Sequence, residues 1–140
     1  MTGYRCGFIC TPRDVADALR TFRPSVGTAP QEFVQSAGIA AYGDEAHVDA
    51  VREVYREKRD VLLPVLEAKG LRLAGGDATF YLWLAVDEPS ESFARRLLEH
   101  GILVAPGSFF GPAGEGYVRI ALVPTHEDCR RAAEILEASL

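Results

Sequence analysis

The sequence predicts an α/β fold, and three stretches carry the prediction. After Asp44 the apolar residues Val48, Val51, Tyr55, Leu62 and Leu66 recur at the period of a helix. Thr79 to Val86 is a nearly continuous apolar run rich in aromatics, the pattern of a central strand. Tyr117 to Leu122 alternates instead, so that Val118, Ile120 and Leu122 share one face while Tyr117, Arg119 and Ala121 share the other. Helices packed on strands in this way make a layered α/β arrangement.

In chain order, Gly7 to Cys10 is short and apolar and reads as a strand. Thr11-Pro12 offers an N-cap with proline at the first helical position, opening a helix to about Phe22, and Arg23-Pro24 stops it. Ser25 to Pro30 reads as a loop; Phe33, Ala37 and Ala40 or Ala41 then recur at helical spacing until Gly43. The long helix from Asp44 reaches Gly70, with Arg52, Glu53, Arg56 and Glu57 between its apolar positions and a kink expected at Pro64. Leu71 to Ala74 is a strand candidate and Gly75-Gly76-Asp77 a turn. Ser90 can cap a helix whose apolar positions include Phe93, Leu97 and Leu98, with Gly101 at its left-handed end. Ile102 to Ala105 resumes as strand. Thr125 and Asp128 make a capping-box-like start to the last helix, where Cys129, Ala132, Ala133, Leu136 and Leu140 form an apolar stripe.

The order divides into two parts. Residues 1–43 hold one short strand and two helices, which cannot close a core of their own and are expected to pack against something further. Residues 44–140 hold the long kinked helix and then mixed strands with two covering helices.

Composition narrows the function classes. At 140 residues, 48 % of them hydrophobic, the chain can bury a core. A net charge of -5 without any Lys/Arg block argues against nucleic-acid or anionic-membrane partners and leaves small molecules or proteins. Cys6, Cys10 and Cys129 lack CxxC spacing, so neither a disulfide framework nor a zinc site is indicated, and reduced cysteines in a cytoplasmic protein fit best. No signal-like start and no apolar run near the roughly 20 residues of a membrane span is present. His47, His100 and His126 have no carboxylate or cysteine at ligand spacing, so no metal site is expected. Ser108 lies in no Gly-x-Ser-x-Gly elbow, which removes support for a hydrolase.

Arg119 is the most informative residue. It places a lone guanidinium on an apolar strand just after a glycine-rich loop, where a forked, permanent cation suits bidentate binding of a carboxylate. The alternative is an ion pair with a neighbouring Asp or Glu at a strand edge. Gly3-x-Arg5-x-Gly7 is a second anion signal: a phosphate dianion favours a forked cation, and glycines permit close approach. An ordinary surface ion pair is the other reading of Arg5. Phe109 and Phe110 could wall a pocket beside Arg119 or serve as core or domain-interface aromatics, and Tyr4 and Trp83 read as packing residues. Lys58, among Arg56, Glu57, Arg59 and Asp60, and Lys69 beside Gly70 read as solvated helix residues.

Met1-Thr2-Gly3-Tyr4-Arg5-Cys6-Gly7-Phe8, with Val104-Ala105-Pro106-Gly107-Ser108-Phe109-Phe110-Gly111 and Gly116-Tyr117-Val118-Arg119-Ile120-Ala121-Leu122, resembles the C-terminal portion of a class I/II pyridoxal-phosphate aminotransferase of fold type I. The resemblance covers essentially the whole chain. Val26-Gly27-Thr28-Ala29-Pro30-Gln31 and Ala78-Thr79-Phe80-Tyr81-Leu82-Trp83-Leu84 most resemble bacterial succinyldiaminopimelate transaminases.

The resemblance implies the small C-terminal domain of that fold plus a strand-helix-helix remnant of the large cofactor-binding domain. Its cofactor would be pyridoxal 5'-phosphate, with Arg5, Gly3 and Gly7 at the phosphate, Arg119 on the substrate α-carboxylate and Phe110 beside it. The Schiff-base lysine of such enzymes would lie upstream of Met1, so no catalytic residue is assigned here and the chain alone is expected to be inactive. The implied reaction moves an amino group between an amino acid and a 2-oxo acid, N-succinyl-diaminopimelate and 2-oxoglutarate, in cytoplasmic lysine biosynthesis by a homodimer. The alternative class is a non-catalytic carboxylate-binding or subunit-assembly module derived from the same fold.

Overall fold

The computed structural model describes residues 3–27 and 29–140. Met1 and Thr2 of the first motif, and Thr28 of the Val26 to Gln31 segment, lie outside the described residues. The chain forms two compact units, Met1–Asp49 and Ala50–Leu140.

In the first unit, α1 (Arg13–Phe22) is followed by a 3-10 turn (Arg23–Val26) that ends on Gly27 at φ 63°, and α2 (Glu32–Tyr42) ends at Gly43. Proline sits one position earlier than expected, at the N-cap of α1. The strand expected at Gly7 to Cys10 does not form: residues 5–12 carry no regular structure and belong to no ladder of the sheet. An apolar run becomes a strand only when a neighbour takes its N–H and C=O groups. The buried face of α2 is Val34 and Gly38, with Ala37 and Ala41 half-buried, whereas Phe33 is 61 % exposed. A Cβ on Gly38 would stand 2.7 Å from the Cys6 Sγ, so glycine there lets residue 6 lie against the helix.

Helix α3 (Ala46–Ala68) runs through Pro64 and presents Lys58, Leu62 and Leu66 as its buried residues. Lys58 is therefore not solvated. It is 7 % exposed, its Nζ donates to the Leu122 carbonyl at 3.2 Å, and the Tyr55 ring centroid lies 5.3 Å away. The cause is spacing: residues 58, 62 and 66 are four apart and share one face of a helix.

Four strands follow: β1 (Arg72–Gly75), β2 (Tyr81–Ala85), β3 (Ala105–Pro106) and β4 (Tyr117–Ala121), with α4 (Ser90–Glu99) between β2 and β3 and α5 (His126–Ser139) last. The sheet order is β1-β2-β4-β3, and every ladder is antiparallel rather than mixed. Strands β2 and β3 do point the same way, but β4 is inserted between them. Only Ala105 and Pro106 of the Ile102 to Ala105 segment and its surroundings reach β4, so the expected strand is shorter and displaced, and Leu103 is 81 % exposed.

The α/β fold follows the predicted alternation closely in its last third. Val118, Ile120 and Leu122 are buried, opposite Leu82 and Leu84 of β2, in a core shared with Leu66, Leu97 and Leu136. Gly101 ends α4 at φ 81°. Thr125 Oγ1 accepts from the Asp128 N–H at 3.1 Å and donates to its Oδ2 at 2.6 Å, which caps α5 and holds the Asp128 carboxyl below its ordinary pKa. Burial pushes the Cys129 thiol up, with the charge of Lys58 acting the other way. Among the described residues no helix is long and apolar enough to cross a membrane.

Candidate functional site

The period of β4 decides where Arg119 goes. Its neighbours Val118 and Ile120 turn into the core, so Arg119 emerges on the opposite face of the sheet, between Trp83 on β2 and Ala105 on β3 in register. Strand β4 is interior to the sheet, so the strand-edge setting considered for Arg119 does not arise. Its neighbour on β3, Ala105, is a small residue. Two aromatic rings pack on it: the Arg119 Cζ lies 4.4 Å from the Tyr81 ring centroid and 4.6 Å from that of Phe110. Trp83 meets Phe110 edge-on and stacks with Tyr117, each at 5.5 Å.

Two rings against one guanidinium attract the cation through their quadrupoles and fix its position while leaving it half-buried. Among the described residues no carboxylate pairs with Arg119 and no acceptor takes a hydrogen bond from it. Its N–H fork is thus oriented by apolar contacts and available to an external anion. Phe110 packs its ring on the guanidinium. Phe109 is exposed, and neither phenylalanine is in the core.

The loop that brings Phe110 over Arg119 consists of a 3-10 turn (Gly107–Phe110), Gly111 at φ 108° and ψ 175°, and a second 3-10 turn (Pro112–Gly114). Only glycine adopts that Gly111 conformation readily. At the loop's neck a Cβ on Gly107 would lie 1.9 Å from the Gly114 carbonyl oxygen, and one on Gly114 would lie 2.1 Å from that of Gly107. The two backbones touch because neither residue has a side chain.

In the first unit, Arg5 is exposed and adopts φ 55°, a left-handed conformation uncommon outside glycine. Gly3 is at φ 95°, and a Cβ on Gly7 would meet nothing within 4 Å. Gly7 is therefore required by neither packing nor a positive φ, and the space beside it is open. Among the described residues Arg5 has no acidic partner. A forked cation with open glycine backbone beside it is a donor set that suits a phosphate group. A groove of about 810 Å³ in the same unit is lined by Cys6, Gly7, Phe8, Gly38 and Tyr42 among others, without Arg5.

The chain has two lysines, and both amines are engaged by backbone carbonyls: Lys58 at Leu122, and Lys69 at Glu137 at 2.6 Å. Two of the three histidines do meet a carboxylate, against the expectation from spacing. His47 contacts Asp44 at 3.0 Å and His126 lies 3.7 Å from Glu57. The hydrogen bond from His47 holds Asp44 below its ordinary pKa. Among the described residues no three His, Cys, Asp or Glu side chains gather as a metal-ligand set.

Sequence reasoning reached Arg119 and Phe110 but passed over Tyr81 and read Trp83 as packing alone. The signal was available in the alternation of Tyr81 and Trp83 with buried Leu82 and Leu84, which puts both aromatics on the face of Arg119.

With this geometry in place, comparison with known proteins is specific. Residues 1–136 match the family model for aminotransferase class I and II. The LL-diaminopimelate aminotransferase of Moorella thermoacetica is 39 % identical over 144 residues, covering 100 % of this chain and 37 % of that protein. The 4-dedimethylamino-4-oxo-anhydrotetracycline transaminase OxyQ of Streptomyces rimosus is 39 % identical over 133 residues, covering 95 % of this chain and 37 % of that one. The structure of aspartate aminotransferase from Thermus thermophilus with maleate superimposes with a TM-score of 0.86 at 33 % identity, over 100 % of this chain and 38 % of that one. The chain spans about a third of the length of the curated relatives it matches.

Proposed function

The chain belongs to the class I and II aminotransferase family, which is pyridoxal-phosphate-dependent, and on that premise we propose that its second unit binds the α-carboxylate of an amino acid or 2-oxo acid through Arg119. The observation that carries this reading is the guanidinium clamped by Tyr81 and Phe110 with no acidic partner among the described residues. Arg119 orients the carboxylate by its fork, and Phe110 shields that ion pair from water, which strengthens it.

Arg5 holds the phosphate of the cofactor, with Gly3 and Gly7 allowing its backbone to pass close. When bound, pyridoxal phosphate supplies an electron sink for the carbon that loses its proton. Neither lysine of this chain is assigned to it, since both amines are committed to backbone carbonyls. The reaction served is transfer of an amino group between an amino acid and a 2-oxo acid. We assign a diaminopimelate-type donor in lysine biosynthesis, supported by relatives named LL-diaminopimelate aminotransferases. The N-succinyl form, with 2-oxoglutarate as acceptor, rests on the Val26 to Gln31 and Ala78 to Leu84 resemblance.

Calorimetric titration of the full chain with maleate tests the carboxylate site. Arg119→Ala should weaken binding by about 10- to 100-fold, the worth of a charge-assisted hydrogen-bonded pair. Arg119→Lys should recover only part of it, because an ammonium lacks the fork. An unchanged affinity in Arg119→Ala sinks the reading. A second part of the proposal, assembly with another subunit, is supported by exposed Phe22, Phe33 and Ile39 in the first unit, and a strictly monomeric chain in sedimentation would remove it.

A further inference from the structure

We propose that Glu115 is a positioning residue for the carboxylate site: its side chain latches the loop that carries Phe110 to the N-terminus of α4 and so fixes the aromatic cover of Arg119. The inference rests on the reading of Arg119 as that site.

Helix α4 starts without a cap of its own. Ser90, expected as its N-cap, is instead its first helical residue, and Pro89 at the cap position offers no side-chain acceptor. The acceptor comes from 25 residues further along the chain. Glu115 Oε1 takes the Ser90 N–H at 2.7 Å and Oε2 takes the Ser90 hydroxyl at 3.0 Å. A carboxylate at a helix N-terminus is favoured by the helix dipole, and these two donors, the backbone N–H foremost, hold the Glu115 carboxyl below its ordinary pKa.

The connection continues into the loop. The Ser90 hydroxyl is fully buried and accepts from the Ser108 N–H at 3.3 Å while donating to Glu115. Ser108 Oγ in turn donates to Glu91 Oε1 at 3.3 Å. Ser108 lies two residues before Phe110, and Glu115 two residues before the first residue of β4. One carboxylate and one hydroxyl thus tie both limbs of the loop to α4, and the contact of Gly107 with Gly114 closes its neck. Phe110 lies between these ties, with its ring centroid 4.6 Å from the Arg119 Cζ.

A helix cap alone needs none of this, since a local Ser, Thr, Asp or Asn supplies one. Recruiting the cap from the strand-entry loop makes the position of that loop depend on the same hydrogen bonds as the start of α4. Glu115 therefore acts through the position of Phe110.

Two variants and an internal probe separate positioning from capping. Trp83 is the single tryptophan of the chain and meets Phe110 edge-on at 5.5 Å, so its emission and its quenching by acrylamide report on the loop. Ser90→Ala keeps the backbone N–H that Glu115 caps but removes the hydroxyl that joins Ser108 to Glu115; Glu115→Gln weakens both. In the full chain, Ser90→Ala should make Trp83 more accessible to acrylamide and weaken maleate binding by about three- to tenfold, the range of one lost hydrogen bond. Its melting temperature should fall by less than that of Glu115→Gln. Wild-type quenching and wild-type maleate affinity in folded Ser90→Ala overturn the proposal, and if Glu115→Gln does not fold, Ser90→Ala decides alone. Should Arg119→Ala bind maleate normally, the carboxylate reading fails, while increased Trp83 quenching in Ser90→Ala still establishes the latch and unchanged quenching rejects it.

Discussion

Each unit presents one arginine beside glycines, and the two are held in opposite ways. Arg119 stands on an interior strand over a closed core, with rings against its guanidinium. Arg5 stands on an irregular segment in a left-handed conformation with no acidic partner among the described residues. The surroundings differ in the same sense. The second unit buries Leu66, Leu82, Leu84 and Val118 completely, while in the first unit Val34 is the buried hydrophobic side chain among the described residues. A site on a packed sheet is pre-organised before its ligand arrives, so little ordering has to accompany binding. A site on an unpacked segment gains its order from the ligand, which costs affinity and makes occupancy visible as stabilisation.

Substitutions can break or sharpen this contrast. The largest effect belongs to the core of the second unit: Leu66→Ala should cost about 2–5 kcal/mol in urea denaturation, the range for a fully buried leucine. A loss below about 1 kcal/mol would mean that the core relaxes freely and that Arg119 has no rigid base. Next comes the cap of α5, where Thr125→Ala should cost about 1 kcal/mol. Hydrogen exchange should show its effect in the first turn of that helix.

Acid acts on both units and has a definite sign. Glu115 and Asp128 in the second unit and Asp44 in the first all have folded pKa values below their ordinary ones, through hydrogen bonds from Ser90, Thr125 and His47 respectively. The stability they contribute is present above the ordinary carboxylate range and is lost as pH falls through the lower folded values, from about pH 4 downward. A pH titration followed by amide exchange should therefore loosen the α4 and α5 N-termini below that point. Loosening that begins near pH 6 would point to other groups. The smallest effect is at Ile39, 78 % exposed on α2: Ile39→Ala should change stability by no more than about 0.5 kcal/mol. A larger loss would show that its face is covered in solution, and the contrast between the units would shrink.

Much of the second unit was legible in the residues themselves. Alternation from Tyr117 to Leu122 assigned both faces of β4, because a strand's period is set by its own backbone and needs no partner to be read. Thr125 and Asp128 announced α5 because a capping box is local. Reading failed where the answer lies in a neighbour. Gly7 to Cys10 has the composition of a strand without a ladder to join. The Tyr81 and Phe110 clamp depends on strand register and on a loop fold, neither of which a spacing reveals. The link from Glu115 to Ser90 joins residues far apart in sequence whose types say nothing of each other. Lys58 is a different failure: its spacing to Leu62 and Leu66 was in plain view, and charge outweighed it.

The contact between Gly107 and Gly114 bears on how this site can change over generations. Because the neck closes the loop on itself, residues 108–113 form an excursion whose length is uncoupled from the register of β4. Insertions and deletions in such surface excursions carry only a small closure cost. The loop tip can therefore change length without shifting the strand register that places Arg119, although a change at Phe110 itself alters the ring packed on the guanidinium. Variation in the surroundings of Arg119 has a route here that leaves its backbone position untouched.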